Sequence, residues 1–162
     1  MTPSQYNICV KQYADGVYRF IMKNIRNSDE AQNIVQNTFE KLWVKREEIN
    51  FEKAKSYIFT IAYRNMIDVI RASKRITEID EHFIQQSSND SNEYTGIKAL
   101  IDKIVNKLPE NQRSVLMLRD YEGYDYKTIS EITGLTEAQV KINIFRARQF
   151  IKEKIGNINT LL

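Results

Sequence analysis

A polar, acidic segment divides this 162-residue chain into two blocks, so that each block must fold on its own apolar residues. Residues 77–95 hold five acidic side chains and no lysine or arginine, and their QQSSNDSN stretch has no apolar period. A segment of this composition cannot bury enough apolar surface to offset the entropy of ordering it. We therefore expect a flexible acidic linker at 77–95 between two small domains, 1–76 and 96–162.

Both blocks carry the apolar spacing of amphipathic helices. The clearest case is 29–46, where one face collects Ala31, Ile34, Val35, Thr38, Phe39, Leu42 and Trp43. Asn27, with Glu30 three residues later, predicts the cap that starts this helix. The two-residue alternation of strands is absent from the sequence, which contains only two prolines and five glycines. These patterns predict an all-α fold with helices near 6–23, 29–46, 56–73, 97–107, 109–121, 126–133 and 136–155.

Composition excludes several classes of protein. With one cysteine, Cys9, and one histidine, His82, the chain can form neither an internal disulfide nor a Cys/His zinc site. We expect Cys9 to be a small buried apolar residue, and we expect no cofactor, no metal and no catalytic set. The sequence has neither an apolar run of membrane-spanning length nor a secretory signal pattern, so we expect a cytoplasmic protein. Because we find no catalytic set, we also expect that it is not an enzyme.

Positive charge is concentrated outside the acidic segment. Residues 1–76 hold thirteen basic against eight acidic side chains, and 96–162 hold eleven against eight. Basic blocks suit a polyanionic partner such as nucleic acid, although an excess of this size is also common on ordinary solvated helices.

The sequence KTISEITGLTEAQVKINIFRARQFI, at 127–151, has the layout of a helix-turn-helix. Gly134 suits the left-handed end of the first helix, and Thr136 with Gln139 predicts a capping box at the start of the second. If Val140 and Ile144 face the core, the far side of the second helix is free to enter a DNA groove. The alternative is a helical hairpin in an ordinary bundle, with its charges facing water.

Several side chains of the second helix, most of them polar or charged, are candidates for DNA contact. Amide side chains can read adenine edges, basic side chains can bind guanine or phosphate, and the amides at a helix start can hold a phosphate. The candidates are Thr136, Glu137, Gln139, Lys141, Ile142, Asn143 and Arg146.

A second candidate surface lies on the helix predicted near 56–73. Its members are spaced three or four residues apart and so share one face: Tyr57, Thr60, Arg64, Asp68, Arg71 and Arg75. Basic residues interleaved with an aromatic ring form a surface on which a nucleic-acid strand can lie. The alternative is that Asp68 forms ordinary helix-surface ion pairs with Arg64 and Arg71.

Read together, these motifs resemble the extracytoplasmic-function sigma factors of bacterial RNA polymerase. The resemblance rests on the order of DEAQNIVQNTFEKLW, SYIFTIAYRNMIDVIRASKR and LPENQRSVLMLRDYEGYDYKTISEITGLTEAQVKINIFRARQFIKEKI, and covers about residues 6–154. It implies three partners: core RNA polymerase, promoter DNA and an anti-sigma factor, which in this family is commonly anchored in a membrane.

The resemblance also implies roles for matching residues. The helix at 33–43 would dock on the polymerase clamp helices through Asn33, Gln36, Asn37, Glu40 and Trp43. The minus-ten element would be recognised and opened by Phe51, Tyr57, Arg64, Asn65, Asp68 and Arg71. The helix-turn-helix would bind the minus-thirty-five element. This chain departs from the family at Gln32 and Asn33, which replace a usual acidic pair, so docking uses fewer charges.

Two other functions are consistent with the residues taken alone. A dimeric helix-turn-helix regulator would bind a palindrome and need no polymerase surface. A helical adaptor that binds only protein would show no salt-dependent affinity for DNA, whereas either DNA-binding function would lose affinity steeply as salt rises.

Overall fold

The computed structural model describes residues 1–79 and 96–159, with side chains for 1–76 and 96–157. The prediction of an all-α fold is confirmed, since the described ranges contain helices and no strand. They form two compact units, an N-terminal unit before the acidic segment and a C-terminal unit after it. None of the described helices is long and apolar enough to cross a bilayer.

Three α-helices make up the N-terminal unit: α1 at Pro3–Ile25, α2 at Ser28–Val44 and α3 at Ala54–Ile79. Helix α1 starts earlier than the predicted residue 6 because Thr2 and Gln5 form a reciprocal capping box and Pro3 opens the helix. The predicted cap of α2 is present, with Asn27 Oδ1 accepting from the Glu30 N–H at 3.1 Å. A short 3₁₀ turn, Phe51–Lys53, leads into α3.

The core of the N-terminal unit lies where the three helices meet. Phe20 of α1 and Phe59 of α3 are buried, with ring centroids 5.9 Å apart in an edge-to-face arrangement. Cys9 is fully buried, as predicted for a small apolar residue, and burial raises the pKa of its thiol. The ring contact joins α1 to α3, and the buried Cys9 is part of the same apolar interior.

The C-terminal unit contains four α-helices: α4 at Ile97–Asn106, α5 at Glu110–Leu116, α6 at Tyr126–Thr133 and α7 at Glu137–Asn159. The single helix predicted at 109–121 is wrong in two details. Pro109 caps α5 from outside, with an extended ψ of 149°, and is not its first helical residue. After Leu116 the chain widens into a π-helical turn, in which the Glu122 N–H donates to Met117 O at 3.1 Å.

The acidic segment itself falls almost entirely outside the described residues. Helix α3 runs to Ile79, further than the predicted end near residue 73 and three residues into the predicted linker. The expectation of a flexible linker over the remaining positions, which include His82, lies beyond the part of the chain that the structure describes. The predicted domain boundaries therefore stay predictions.

Candidate nucleic-acid interface

The turn between α6 and α7 has the geometry that the sequence predicts. Gly134 adopts a left-handed conformation with φ of 78°, and its N–H donates to Ser130 O at 2.9 Å. The predicted capping box is formed in both directions: the Gln139 N–H donates to Thr136 Oγ1 at 3.1 Å, and the Thr136 N–H donates to Gln139 Oε1 at 2.9 Å. These bonds fix the direction in which α7 leaves the turn.

A substitution at Gly134 is expected to destabilise the C-terminal unit through the backbone alone. A Cβ at this position would meet no atom within 4 Å, so Gly134→Ala tests only the left-handed conformation. That conformation costs an L-residue about 1–2 kcal/mol. Thermal unfolding should show the loss, and Gly134→Asn should be milder because asparagine tolerates the left-handed region. Equal stability of the alanine variant and the wild type would contradict this prediction.

Helix α7 presents one face to the core and the other to solvent. Val140, Ile144 and Ala147 are buried, whereas Ile142 is 45% exposed and Phe145 is 64% exposed. Ala138, Arg146 and Gln149 are exposed beside them. The structure therefore exposes the side of the helix that the sequence predicts to face DNA.

The candidate DNA-contact residues of α7 differ in what already engages them. Thr136 and Gln139 cap the helix, and the Asn143 side-chain amide donates to Gln139 O at 2.8 Å. Lys141 Nζ lies 5.5 Å from the ring centroid of Tyr126. Within the described part of this unit, Arg146 makes no hydrogen bond, ion pair or ring contact. Its guanidinium is therefore free for a ligand.

Asp125 caps the first helix of the pair, and its pKa is lowered. The main causes are hydrogen bonds from the Thr128 side chain and backbone N–H, the latter at 2.8 Å, and the charges of Lys127 and Arg119 add to them. A carboxyl group whose pKa is lowered by folding stabilises the folded state at pH values above its ordinary pKa, which is 3.8 for this aspartate. That contribution is lost as the pH falls through the lowered value.

Replacing Asp125 by serine keeps a capping oxygen but removes the titrating group. We expect the wild type to be the more stable protein near neutral pH and to lose this advantage as the pH is lowered below about 4. Melting temperatures of the two proteins between pH 7 and pH 2 test this. A difference that does not change with pH would show that the charge of Asp125 contributes nothing.

In the N-terminal unit, the predicted docking residues lie on the exposed face of α2. Asn33, Gln36, Asn37 and Glu40 are all exposed, and Gln36 donates to Glu40 across one turn at 3.5 Å. The apolar pattern also predicts Trp43 on the inner face, but this residue is 40% exposed. Trp43 packs edge-on against Tyr6 at 4.9 Å, with the Arg46 guanidinium 3.8 Å from its centroid.

Helix α3 brings most of the predicted minus-ten residues to one surface. Arg64, Asp68 and Arg71 are exposed, and Tyr57 is half-buried. Within the described residues no ion pair joins Asp68 to either arginine, so the alternative of structural ion pairs is not supported. Asn65 is half-buried, and its Oδ1 accepts a hydrogen bond from Lys41 Nζ at 3.2 Å.

The remaining predicted minus-ten residue, Phe51, lies in the 3₁₀ turn before α3. Asn50 Oδ1 accepts from the Glu52 N–H at 3.1 Å and so starts the turn. The Phe51 side chain is half-buried and keeps part of its ring accessible. The turn therefore holds an aromatic ring at the start of the helix that carries Tyr57 and Arg64.

Each unit matches a model of a known protein family. The sigma-70 region 2 model matches residues 9–76, and the sigma-70 region 4 model matches residues 98–151. The ECF RNA polymerase sigma factor SigM of Bacillus subtilis is 28% identical over 146 residues, which cover 88% of this chain and 90% of SigM. This chain is an extracytoplasmic-function sigma factor. It binds core RNA polymerase and directs promoter-specific initiation of transcription.

A second relative matches a similar share of this sigma factor, and a solved structure matches its fold. SigV of Bacillus subtilis is 28% identical over 148 residues, which cover 89% of this chain and 87% of SigV. The structure of RpoE in complex with the anti-sigma factor NepR from Bartonella quintana matches with a TM-score of 0.79 at 21% identity, covering 93% of this chain and 96% of that chain. At that identity the likeness concerns the fold alone.

Two arginines in the motifs that identify this sigma factor link separate elements of its C-terminal unit. Arg113 Nη1 donates to Asn106 O and Leu108 O, both at 3.3 Å, and so binds the carbonyl end of α4. Arg148 Nη2 donates to Asp120 Oδ1 at 2.6 Å, and this hydrogen bond raises the pKa of Arg148. Because the pair is about half exposed, its contribution to stability is ~0.2–1 kcal/mol.

Sequence reasoning missed one cluster of this sigma factor beside the helix-turn-helix. Arg119 lies 4.8 Å from the ring of Tyr126, whose other cationic neighbour is Lys141 of α7. Arg119 also donates to Tyr124 O at 2.8 Å. These residues come from three elements separated by turns, so no helical period relates them. The sequence shows that two of them are positively charged, but it does not predict that they lie beside the same ring.

Proposed function

We propose that this sigma factor divides promoter recognition between its two units. The N-terminal unit binds core RNA polymerase through the exposed face of α2 and opens the minus-ten element along α3. The C-terminal unit holds the minus-thirty-five element with the outer face of α7. The single observation that supports this division is the exposed outer face of α7, on which Arg146 has no partner within the described residues.

The energy of strand opening supports a requirement for polymerase. Separating about five base-pair steps costs roughly 7 kcal/mol at about 1.4 kcal/mol per step. Stacking one freed base on an aromatic side chain returns only about 1–3 kcal/mol. The isolated chain should therefore bind promoter duplex weakly, and the holoenzyme should bind and open it.

We also propose that the catalytic step belongs to the polymerase and that the sigma factor acts in the cytoplasm beside it. The curated relatives are sigma factors, and one structure of similar fold is a complex of the sigma factor RpoE with the anti-sigma factor NepR. That complex supports an anti-sigma partner for this chain too. Such a partner should compete with core polymerase when both are mixed with the chain.

Reconstitution with core RNA polymerase tests the function. We expect the purified chain to co-elute with core enzyme and to produce new start sites in run-off transcription on a pool of genomic fragments. The sequences upstream of those sites give the promoter elements. A chain that ignores core polymerase but still shifts duplex DNA would instead be the dimeric regulator.

A further inference from the structure

The four polar docking residues on the exposed face of α2 carry little charge. Asn33, Gln36 and Asn37 bear neutral amides, and Glu40 is the one charged residue among the four. An exposed amide exchanges its hydrogen bonds with water for equivalent bonds across an interface, so it adds little net affinity. The strength of docking must therefore come from another kind of side chain.

The same face of α2 ends in an apolar and aromatic patch. Val44 follows Asn37 by seven residues and so continues the docking face two turns further on. Trp43 stands at the edge of this face, seven residues after Gln36. Val44 is 77% exposed and Trp43 is 40% exposed. Because tryptophan is enriched among the residues that contribute most to the affinity of protein interfaces, this patch is the part of α2 best suited to bind polymerase tightly.

Two neighbours hold the ring of Trp43 in place. Tyr6 of α1 contacts it edge-on, with ring centroids 4.9 Å apart and an angle of 67° between the planes. The Tyr6 hydroxyl donates to Phe39 O at 3.1 Å, which ties the tyrosine to α2. The Arg46 guanidinium lies over the tryptophan ring, 3.8 Å from its centroid, and Nη1 donates to Trp43 O at 2.8 Å. These contacts restrict a side chain that would otherwise sample several rotamers.

Tyr6 and Arg46 are both less exposed than Trp43, so the tryptophan is the member of this cluster that a partner protein meets most fully. A side chain that is ordered before association loses less entropy on binding. We propose that Tyr6 and Arg46 are positioning residues for polymerase docking, which hold Trp43 in the conformation that core RNA polymerase binds. This inference rests on the proposed function, because it takes the exposed face of α2 as the docking surface.

A double-mutant cycle separates positioning from direct contact. The variants are Arg46→Gln, Trp43→Ala and the two combined, and Ile8→Ala is the control because Ile8 of α1 is 40% exposed, as Trp43 is. The affinity of each variant for core polymerase is measured by competition with a fluorescently labelled wild-type chain. Circular dichroism during urea unfolding checks that each variant is folded under the conditions of the competition.

We expect Trp43→Ala to bind core polymerase about thirtyfold more weakly, which is the size of effect that defines an interface hot spot. Arg46→Gln should weaken binding about fivefold when Trp43 is present, because the ring loses a contact that orders it. In the Trp43→Ala background the same substitution should have no further effect, since Arg46 acts through the ring. Ile8→Ala should bind like the wild type.

Conservative substitutions provide a second measurement of the same role. Tyr6→Phe keeps the ring that contacts Trp43, whereas Tyr6→Leu removes it, so the leucine variant should lose more affinity for core polymerase than the phenylalanine variant. Arg46→Lys keeps a cation beside the tryptophan and should weaken binding less than Arg46→Gln. Equal losses within each pair would show that neither the ring of Tyr6 nor the charge of Arg46 matters for docking.

Two results of the cycle would overturn the inference and leave the proposed function intact. If Trp43→Ala binds core polymerase as the wild type does, Trp43 lies outside the interface and its neighbours position nothing. If the effects of Arg46→Gln and Trp43→Ala add in the combined variant, Arg46 contacts polymerase directly. If the wild-type chain itself fails to bind core polymerase, the proposed function fails, and the positioning role fails with it.

Discussion

Replacing Phe20 by alanine is expected to destabilise the N-terminal unit by about 3–5 kcal/mol, the usual penalty for removing a buried aromatic ring. Phe20 is fully buried and its ring meets that of Phe59, so the substitution leaves a cavity where α1 packs on α3. A loss of this size is a large part of the stability of a small domain.

The chain supplies a convenient probe for this measurement. Its single tryptophan, Trp43, lies in the N-terminal unit, so its fluorescence during urea unfolding reports on that unit. The matched control is Ile76→Ala, a truncation to alanine in the same unit at a residue that is 64% exposed, which should alter stability by no more than about 0.5 kcal/mol. Similar effects of the two substitutions would contradict the proposed core.

Replacing Arg146 by alanine is expected to weaken promoter binding by about 1–3 kcal/mol, or roughly 5- to 150-fold. Arg146 is exposed on the outer face of α7 without a partner in the described part of the unit, so its removal should leave the fold intact. The measurement is the affinity of holoenzyme for duplex probes with an intact or a scrambled minus-thirty-five element.

The same probes distinguish two kinds of contact. If Arg146 binds a base, its loss should relax the preference at one position; if it binds phosphate, affinity should fall evenly over all sequences. Lys152→Ala, an exposed substitution further along α7, is the control and should bind like the wild type. Equal binding by Arg146→Ala and the wild type would remove Arg146 from the interface.

Sequence patterns correctly predicted those elements whose bounds depend on residues close together in the chain. The bounds of α6 and the turn after it followed from Gly134 and from the Thr136–Gln139 capping box, which involve residues close in sequence. The inner and outer faces of α7 followed from its period. The ends of α1 and α3 were less accurate, because caps and tertiary contacts lengthen a helix beyond its apolar pattern.

Contacts between distant residues could not be predicted in this way. Lys41 and Asn65 are 24 residues apart, and Asp120 and Arg148 are 28 apart, so their bonds depend on how the helices pack. The π-helical turn after Leu116 was not predicted either. The candidate surfaces were therefore foreseen as faces of single helices, and the hydrogen bond from Lys41 to Asn65, which joins α2 to α3, was not.

The hydrogen bonds of the turn between α6 and α7 limit the conformational entropy that this turn can lose when DNA binds. Ser130 Oγ donates to Leu135 O at 2.6 Å, the Leu135 N–H donates to Thr133 Oγ1 at 3.3 Å, and the capping box closes the next residues. The turn is thus ordered before DNA arrives, and little conformational entropy remains to be lost there on binding. If α7 binds the minus-thirty-five element as proposed, the entropy of binding should come mainly from water, counterions and the bending of the duplex.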